Sequence, residues 1–285
     1  DATDPRILVS LWVYATLQGV ASARRLAELS EHHAAYQWLC GGVTVNHHLL
    51  ADFRSQGGAR WDGLLTQIVA TLMAEGLATM QRVAQDGMKV RAAAGKGSFR
   101  RQTRLEECLV EARQQVQALR VLAEEDAGQL SRRQQAARER AAAERQARLE
   151  AALRECEQLQ QEREATAAKS GREPKEARAS TTDSEARVMK FSDGGFRPGY
   201  NVQFATDTAS GLIVGVTVVN AGTDNRELSP MLDQLQERYG RTPAEMLVDG
   251  GFATQEAITD AAENHDCLIF APLKDEAKQR AAGKD

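Results

Sequence analysis

The sequence predicts a mixed α/β protein in three parts: an all-α N-terminal region, an α/β core, and a long helical hairpin inserted between the first and second strands of that core. Three observations carry this reading. Residues 5–80 hold short apolar stripes at helical spacing, separated by capping residues. Residues 100–168 turn abruptly to Arg, Glu, Gln and Ala, contain no Pro, and space their apolar positions alternately four and three apart. Residues 186–285 alternate Val-rich strand patterns with helical stretches.

In the first part, Asp4-Pro5 supplies an N-cap and first-turn pair for a helix with the stripe Leu8, Leu11, Trp12, Ala15 and Leu17. Ser22 opens a second helix, to Leu29. A third spans Ala34–Leu39 and is closed by Gly41-Gly42. Thr44 or Asn46 caps a fourth through Leu49, Leu50 and Phe53, and a longer helix runs from about Trp61 to Met80. Short helices joined by small residues suit a DNA-binding helix-turn-helix. They suit an ordinary helical bundle equally well.

In the middle part, Leu105, Leu109, Ala112, Val116, Leu119 and Ala123 form a heptad seam. Asp126-Ala127-Gly128 breaks it, Ser131-Arg132-Arg133-Gln134 reads as a capping box, and the seam resumes at Leu149, Leu153, Cys156 and Leu159. The expected object is an antiparallel helical hairpin. Residues 99–185 carry 17 basic and 17 acidic residues, a balance that suits a solvated, salt-bridge-laced surface better than a DNA-binding stripe. Lys169–Ser184, polar with one Pro, reads as a flexible return linker.

The core begins before the hairpin, with a strand over Val83–Arg91. After the hairpin come a strand at Tyr200–Thr206, a turn at Ala209-Ser210-Gly211 and a strand at Leu212–Asn220. A helix at Leu228–Tyr239 starts near Thr223 or Asn225 and stops at Gly240. Beyond it lie a short buried strand at Glu245–Val248, a helix capped by Thr254, and a strand at Cys267–Ala271. Strand, strand, strand, helix, strand, helix, strand is the ribonuclease-H-like order, in which the first and fourth strands lie side by side. The predicted domains are residues 1–80 (helical, DNA-binding), 81–98 (first core strand), 99–185 (coiled insertion and linker) and 186–285 (the rest of the core).

Asp86, in Gln85-Asp86-Gly87, and Asp249, in Val248-Asp249-Gly250-Gly251, fall where those first and fourth strands end. Each alone reads as a turn, because Asp-Gly is the preferred type I′ pair. Together they fit a divalent-metal phosphodiester chemistry. Two ions about 3.5–4 Å apart activate the attacking oxygen and stabilise the leaving one, and Mg²⁺ prefers hard carboxylate oxygens. Adjacent glycines admit a close backbone. Lys89, Arg91, Lys96, Arg100, Arg101 and Arg104 come after the first aspartate, and Lys190 and Arg197 flank the next strand; all are candidates to track phosphates. The alternative is a solubilising surface, because residues 186–285 carry 10 basic against 15 acidic residues.

The bulk numbers set limits on these readings. The 285 residues are 42% hydrophobic and only 5% aromatic, with a net charge of −4 that does not announce a nucleic-acid binder. Cys40, Cys108, Cys156 and Cys267 are too scattered for a zinc site or a disulfide framework and suit a reducing cytoplasm. No membrane span or signal peptide is expected. The chain opens without Met at Asp1 and closes on the Lys-rich stretch Lys274–Lys284, so both ends read as cut.

The block Asp86-Gly87-Met88-Lys89-Val90-Arg91-Ala92 resembles the region around the first catalytic aspartate of bacterial DDE-type insertion-sequence transposases. Ser184–Lys190, Gly195–Gln203, Thr223-Asp224-Asn225, Leu228–Leu232 and Val248–Phe252 resemble that family's later blocks in order. Trp12, Ser22–Leu26 (with Arg24 and Arg25), Trp38–Gly41 and Phe53-Arg54 resemble its N-terminal helical domain. The resemblance implies a DNA transposase that binds element ends and catalyses metal-dependent strand cleavage and transfer. It implies a two-metal Mg²⁺ (or Mn²⁺) site on Asp86 and Asp249, double-stranded DNA as partner (element ends and target), a possible homo-oligomer, and a cytoplasmic, nucleoid-associated location. Arg24, Arg25, Lys89, Arg91, Lys96 and Arg197 become candidate DNA contacts. The family's third carboxylate, a Glu on a helix after the last strand, does not carry over: Glu276 has too little chain after it, so the sequence reads as a fragment stopping before the final catalytic helix. A nuclease on the same fold and a non-catalytic DNA-binding or oligomerising remnant are the competing readings.

Overall fold

A computed structural model of the chain describes residues 3–125 and 132–272. It divides into two compact units, residues 1–76 and 77–285.

The first unit contains five helices: α1 (Pro5–Leu17), α2 (Ala23–His32), α3 (Ala34–Leu39), α4 (His47–Ser55) and α5 (Gly58–Ala74). The Asp4 carboxylate accepts the Arg6 amide at 2.8 Å, with Pro5 at the first helical position. Ser22 and Asn46 cap α2 and α4 in the same way. Leu8, Leu11, Trp12, Ala15, Leu26, Tyr36, Cys40, Val45 and Leu50 form one buried cluster. The Trp12 indole N–H donates to the Leu50 carbonyl at 3.1 Å, and the Arg54 guanidinium lies 4.4 Å from the centre of the same ring. The helix expected to reach Met80 ends at Ala74. Gly76 takes a left-handed φ of 72° there, and the apolar Leu77 and Met80 belong to the second unit.

The second unit is built on a mixed sheet. The strand β1 (Arg82–Arg91) precedes the two-residue β2 (Phe99–Arg100). Next come α6 (Gln102–Glu125), α7 (Arg132–Ser170), β3 (Ala179–Ser180), β4 (Arg187–Lys190), β5 (Phe196–Asp207) and β6 (Ile213–Val219). The unit closes with α8 (Leu228–Tyr239), β7 (Glu245–Leu247), α9 (Gln255–His265) and β8 (Leu268–Phe270). Strand β1 pairs antiparallel with β5 from Val83–Asp207 to Arg91–Gly199. The far edge of β5 is shared by β4 and β6, and the other edge of β1 takes β7 and then β8, both parallel. The order β6-β5-β1-β7-β8 places the first and fourth core strands next to each other, as the strand order read from the sequence predicts.

Helices α6 and α7 pair around Leu105, Leu109, Ala112, Leu149, Ala152 and Cys156, joined by Ala177 and Ala179 from the returning chain. Ala152, rather than the neighbouring Leu153, is the fully buried side chain at that level of the seam. The expected breaker at residues 126–128 and the cap at Ser131 lie outside the described residues. The stretch expected to be a flexible linker contains β3, whose Ala179 and Ser180 pair with Arg100 and Phe99.

Helix α8 lies on one sheet face, burying Leu228, Met231, Leu232 and Leu235. It ends at Gly240 with a φ of 67°. The side chain of Gln234 bonds both the amide and the carbonyl of Val216 at 3.1 Å, locking α8 to β6. Helix α9, capped by Thr254, packs beside α8 and against β8. The opposite face stays open at Met88, Val90, Val218 and Leu268.

Cys40, Cys156 and Cys267 are buried and Cys108 is half-buried; none is disulfide-bonded. Burial raises the first three thiols, Cys267 to about 11 with Asp266 and Glu245 adding to the effect. Because the thiolate is the reactive form, a native-state titration with a thiol reagent is expected to modify these three only slowly. Unfolding in denaturant should release all of them. Fast native modification of Cys267 would contradict its placement. Among the described residues, no helix is long and apolar enough to cross a membrane.

Candidate active site

Asp86 lies in the middle of β1, not at a strand end. Its residue pairs with Phe204 and Gly87 pairs with Gln203, so the ladder runs straight through the Asp-Gly pair and excludes the turn reading. The flanking Val83, Met88 and Val90 suit a strand, and continuous pairing with β5 overrides the local turn preference. Asp249 does leave its strand, two residues after β7 ends at Leu247. Its carboxylate accepts the Gly251 amide at 2.6 Å, while the buried Phe252 holds the end of the turn.

The β1–β7 register relates the two aspartates. Arg82, Val83 and Ala84 oppose Glu245, Met246 and Leu247, a constant spacing of 163 in residue number. The pairing ends at Ala84 and Leu247, so Asp86 and Asp249 each follow the last paired residue of their chain by two positions. Strand alternation puts both on the face of Ala84 and Leu247, opposite the buried Val83 and Met246. Both aspartates are exposed. Asp86 Oδ1 accepts the Gly87 amide at 2.7 Å, so each carboxylate engages one oxygen with a backbone amide of its own chain segment.

Behind Asp86, on the α8 face, runs a buried polar network. The Gln85 side-chain amide donates to the Glu227 carbonyl at 2.9 Å and to the Gln203 Oε1 at 3.2 Å. Gln203 Nε2 and Asn201 Nδ2 both donate to Asp224 Oδ1, at 2.7 and 2.6 Å. Gln85, Asn201 and Gln203 are at most 3% exposed. Gln85 Oε1 and Asn201 Oδ1 have no protein partner. Gly87 faces this network, and a Cβ there would come within 2.5 Å of Gln203 Nε2 and 2.7 Å of Asp224 Oδ1. Sequence reasoning did not assign these residues a role. The sequence points the other way, because the apolar alternation of Tyr200, Val202 and Phe204 would put Asn201 and Gln203 on the exposed side of β5.

Glu227 sits at the edge of this network. Burial, reinforced by the neighbouring Asp224, raises its pKa above the ordinary value of 4.5. A raised carboxyl favours the fold fully below its unfolded pKa, and that contribution is lost as pH rises through the folded value. Glu227→Gln is therefore expected to stabilise the second unit at neutral pH and to leave it unchanged below about pH 4. Denaturant melts at the two pH values check this; equal effects at both would refute it.

The candidate DNA contacts are dispersed. Arg24 and Arg25 are exposed on α2, with Arg25 paired to Glu28 at 3.0 Å. Lys89 is half-buried on β1, and Arg91 and Lys96 are exposed. Arg197 is engaged by Asp193 at 3.0 Å and lies over Phe191. Glu276 lies outside the described residues, and among the described residues no group of three His, Cys, Asp or Glu is placed to hold a metal ion.

Residues 165–283 match the family model of the transposase DDE domain, a span that includes Asp249 and begins after Asp86. No curated protein matches the chain. Among solved structures, one match is the piggyBac transposase in its synaptic complex with hairpin DNA. It has 10% identity and a TM-score of 0.24, over 31% of this chain and 20% of that one. This chain therefore corresponds to about a fifth of that protein's length.

Proposed function

We propose that this chain, whose residues 165–283 match the transposase DDE domain, is a DNA transposase that binds the ends of its element and catalyses strand cleavage and transfer with divalent metal. The observation that supports this is the parallel β1–β7 pairing, which ends two residues short of both Asp86, outside the family match, and Asp249, inside it. Two exposed carboxylates, each with one oxygen already held by a backbone amide, suit a hard divalent cation. Asp86 and Asp249 would hold it, and when bound it would lower the pKa of an attacking oxygen and neutralise charge on the phosphate. The network on Asp224 fixes the strand from which Asp86 projects. The helical unit of residues 1–76, with Arg24 and Arg25, serves in this reading as the DNA-end-binding part, and the α6–α7 hairpin as a contact between assembled copies.

The deciding experiment incubates the full chain with Mg²⁺ and a DNA carrying its element ends, and tracks nicking and joining separately. Nicking with joining supports a transposase. Nicking without joining would make it a nuclease. One observation favours a non-catalytic remnant: no third acidic, His or Cys ligand joins Asp86 and Asp249 among the described residues. DNA binding without nicking, lost on deleting residues 1–76, would establish that alternative.

A further inference from the structure

At the root of the α6–α7 hairpin a cleft of about 410 Å³ opens between α7, β4, the start of β5 and the segment after β1. Four cations line it: Lys96, Arg163, Arg178 and Arg187. Two are committed to the fold. Arg163 donates to the Lys175 and Glu176 carbonyls at 3.2 and 2.8 Å, and Arg187 pairs with Glu155. The one acid in the lining, Glu176, is paired with Arg101 at 2.9 Å. Lys96 and Arg178 are exposed, and their side chains make no hydrogen bond or ion pair among the described residues. Beside them stand two rings, the half-buried Phe99 and Phe196, the latter 55% exposed.

Uncompensated cations next to an open aromatic face are the chemistry that grips an unpaired nucleotide. The cations take the phosphate and the ring stacks on the base, which inside a duplex would be hidden. A duplex backbone alone would need the charges but not the rings. Strand alternation also puts Phe196 on the same sheet face as Phe204, the partner of Asp86, eight residues away along β5. That separation is about 26 Å at 3.3 Å per residue, or about eight nucleotides of duplex at 3.4 Å each.

We propose that this cleft binds an unpaired nucleotide of the DNA strand, its phosphate on Lys96 and Arg178 and its base against Phe196 and Phe99, about eight nucleotides from the strand held at Asp86 and Asp249. The location relative to the chemistry rests on the transposase reading; the binding itself does not.

The test measures binding of the full chain to a blunt duplex and to the same duplex with a short single-stranded tail carrying 2-aminopurine. The tailed DNA is expected to bind more tightly, with the 2-aminopurine quenched. Phe196→Ala should weaken the tailed complex about 5- to 150-fold, while Phe196→Trp keeps the stack and restores it. Arg178→Ala, which removes an exposed and unpaired side chain, should lower the slope of log K against log salt by about 0.7. Equal affinity for blunt and tailed DNA overturns the proposal, as does an unchanged complex in both Phe196→Ala and Arg178→Ala. So does displacement of the tail by free dAMP at matching concentration, which would assign the cleft to free nucleotides. Asp249→Asn separates the two readings. If nicking survives it while tail binding still depends on Phe196, the transposase reading falls and the cleft stands. If nicking is lost but Phe196→Ala binds normally, the cleft falls alone.

Discussion

Asp249→Asn is expected to lower metal-dependent strand cleavage by on the order of 10³-fold while leaving the fold intact. A metal-held phosphate gains several kcal/mol of charge stabilisation in the transition state, and about 4 kcal/mol corresponds to that factor in rate. Asparagine keeps the oxygen that accepts the Gly251 amide, so the turn before Phe252 survives. The melting curve is expected to stay within about 0.5 kcal/mol of the parent. Asp86→Asn should behave alike, since the Gly87 amide retains its acceptor. Because the two carboxylates would act as one unit, the double variant should be hardly worse than either single one. Cleavage at the parental rate in Asp249→Asn, measured on folded protein, removes the site assignment.

Gly87→Ala is expected to do damage of a different kind. The added Cβ lands 2.5 Å from Gln203 Nε2, 2.7 Å from Asp224 Oδ1 and 3.0 Å from Asn201 Oδ1. These are side-chain ends, but they are buried and tied to one another, so they cannot swing away without losing bonds to Asp224. Overpacking costs about 1–3 kcal/mol, and each unit of that lowers the melting temperature by about 2–4 °C in a domain of this size. Cleavage should fall as well, because β1 must shift to relieve the contact and carries Asp86 with it. Gly250→Ala is the comparison. Its nearest contact is the Pro272 carbonyl at 3.2 Å, outside the network, so a smaller loss is expected there. Equal melting temperatures for parent and Gly87→Ala would show that the network yields freely.

Much of the architecture was legible because local chemistry and tertiary packing agree. Asp4-Pro5 starts α1 where the cap geometry demands it, Gly240 stops α8 with a φ of 67°, and Thr254 opens α9. Where they disagree, the sequence misleads. The Leu77 and Met80 spacing extends a helical pattern past Gly76, although these residues lead into β1. The strands β2 and β3 are two residues each, too short for any alternation to register. Strand β4 hides in Arg187–Lys190, where only Met189 is buried. The acidic pair was visible as two Asp-Gly steps, but their alignment is a property of the β1–β7 register, and no local pattern encodes a pairing between residues 163 apart. The amides behind Asp86 were not legible, because Tyr200, Val202 and Phe204 form the apolar phase of β5 and Asn201 and Gln203 the polar one; that they converge on Asp224 requires the β6–α8 loop to fold back over β5.

The two carboxylates differ in how firmly the chain holds them. Asp86 sits within an unbroken ladder from Val83 to Arg91 and has the polar network at its back. Asp249 has left its strand and precedes two consecutive glycines, held by the turn in which its side chain accepts the Gly251 amide and its carbonyl the Phe252 amide. Amide exchange should accordingly be slow at Asp86 and fast at Gly250. One side of the pair would then act as a fixed reference, and the other would adjust, so that a cation and a DNA strand of varying approach can be accepted without disturbing the sheet.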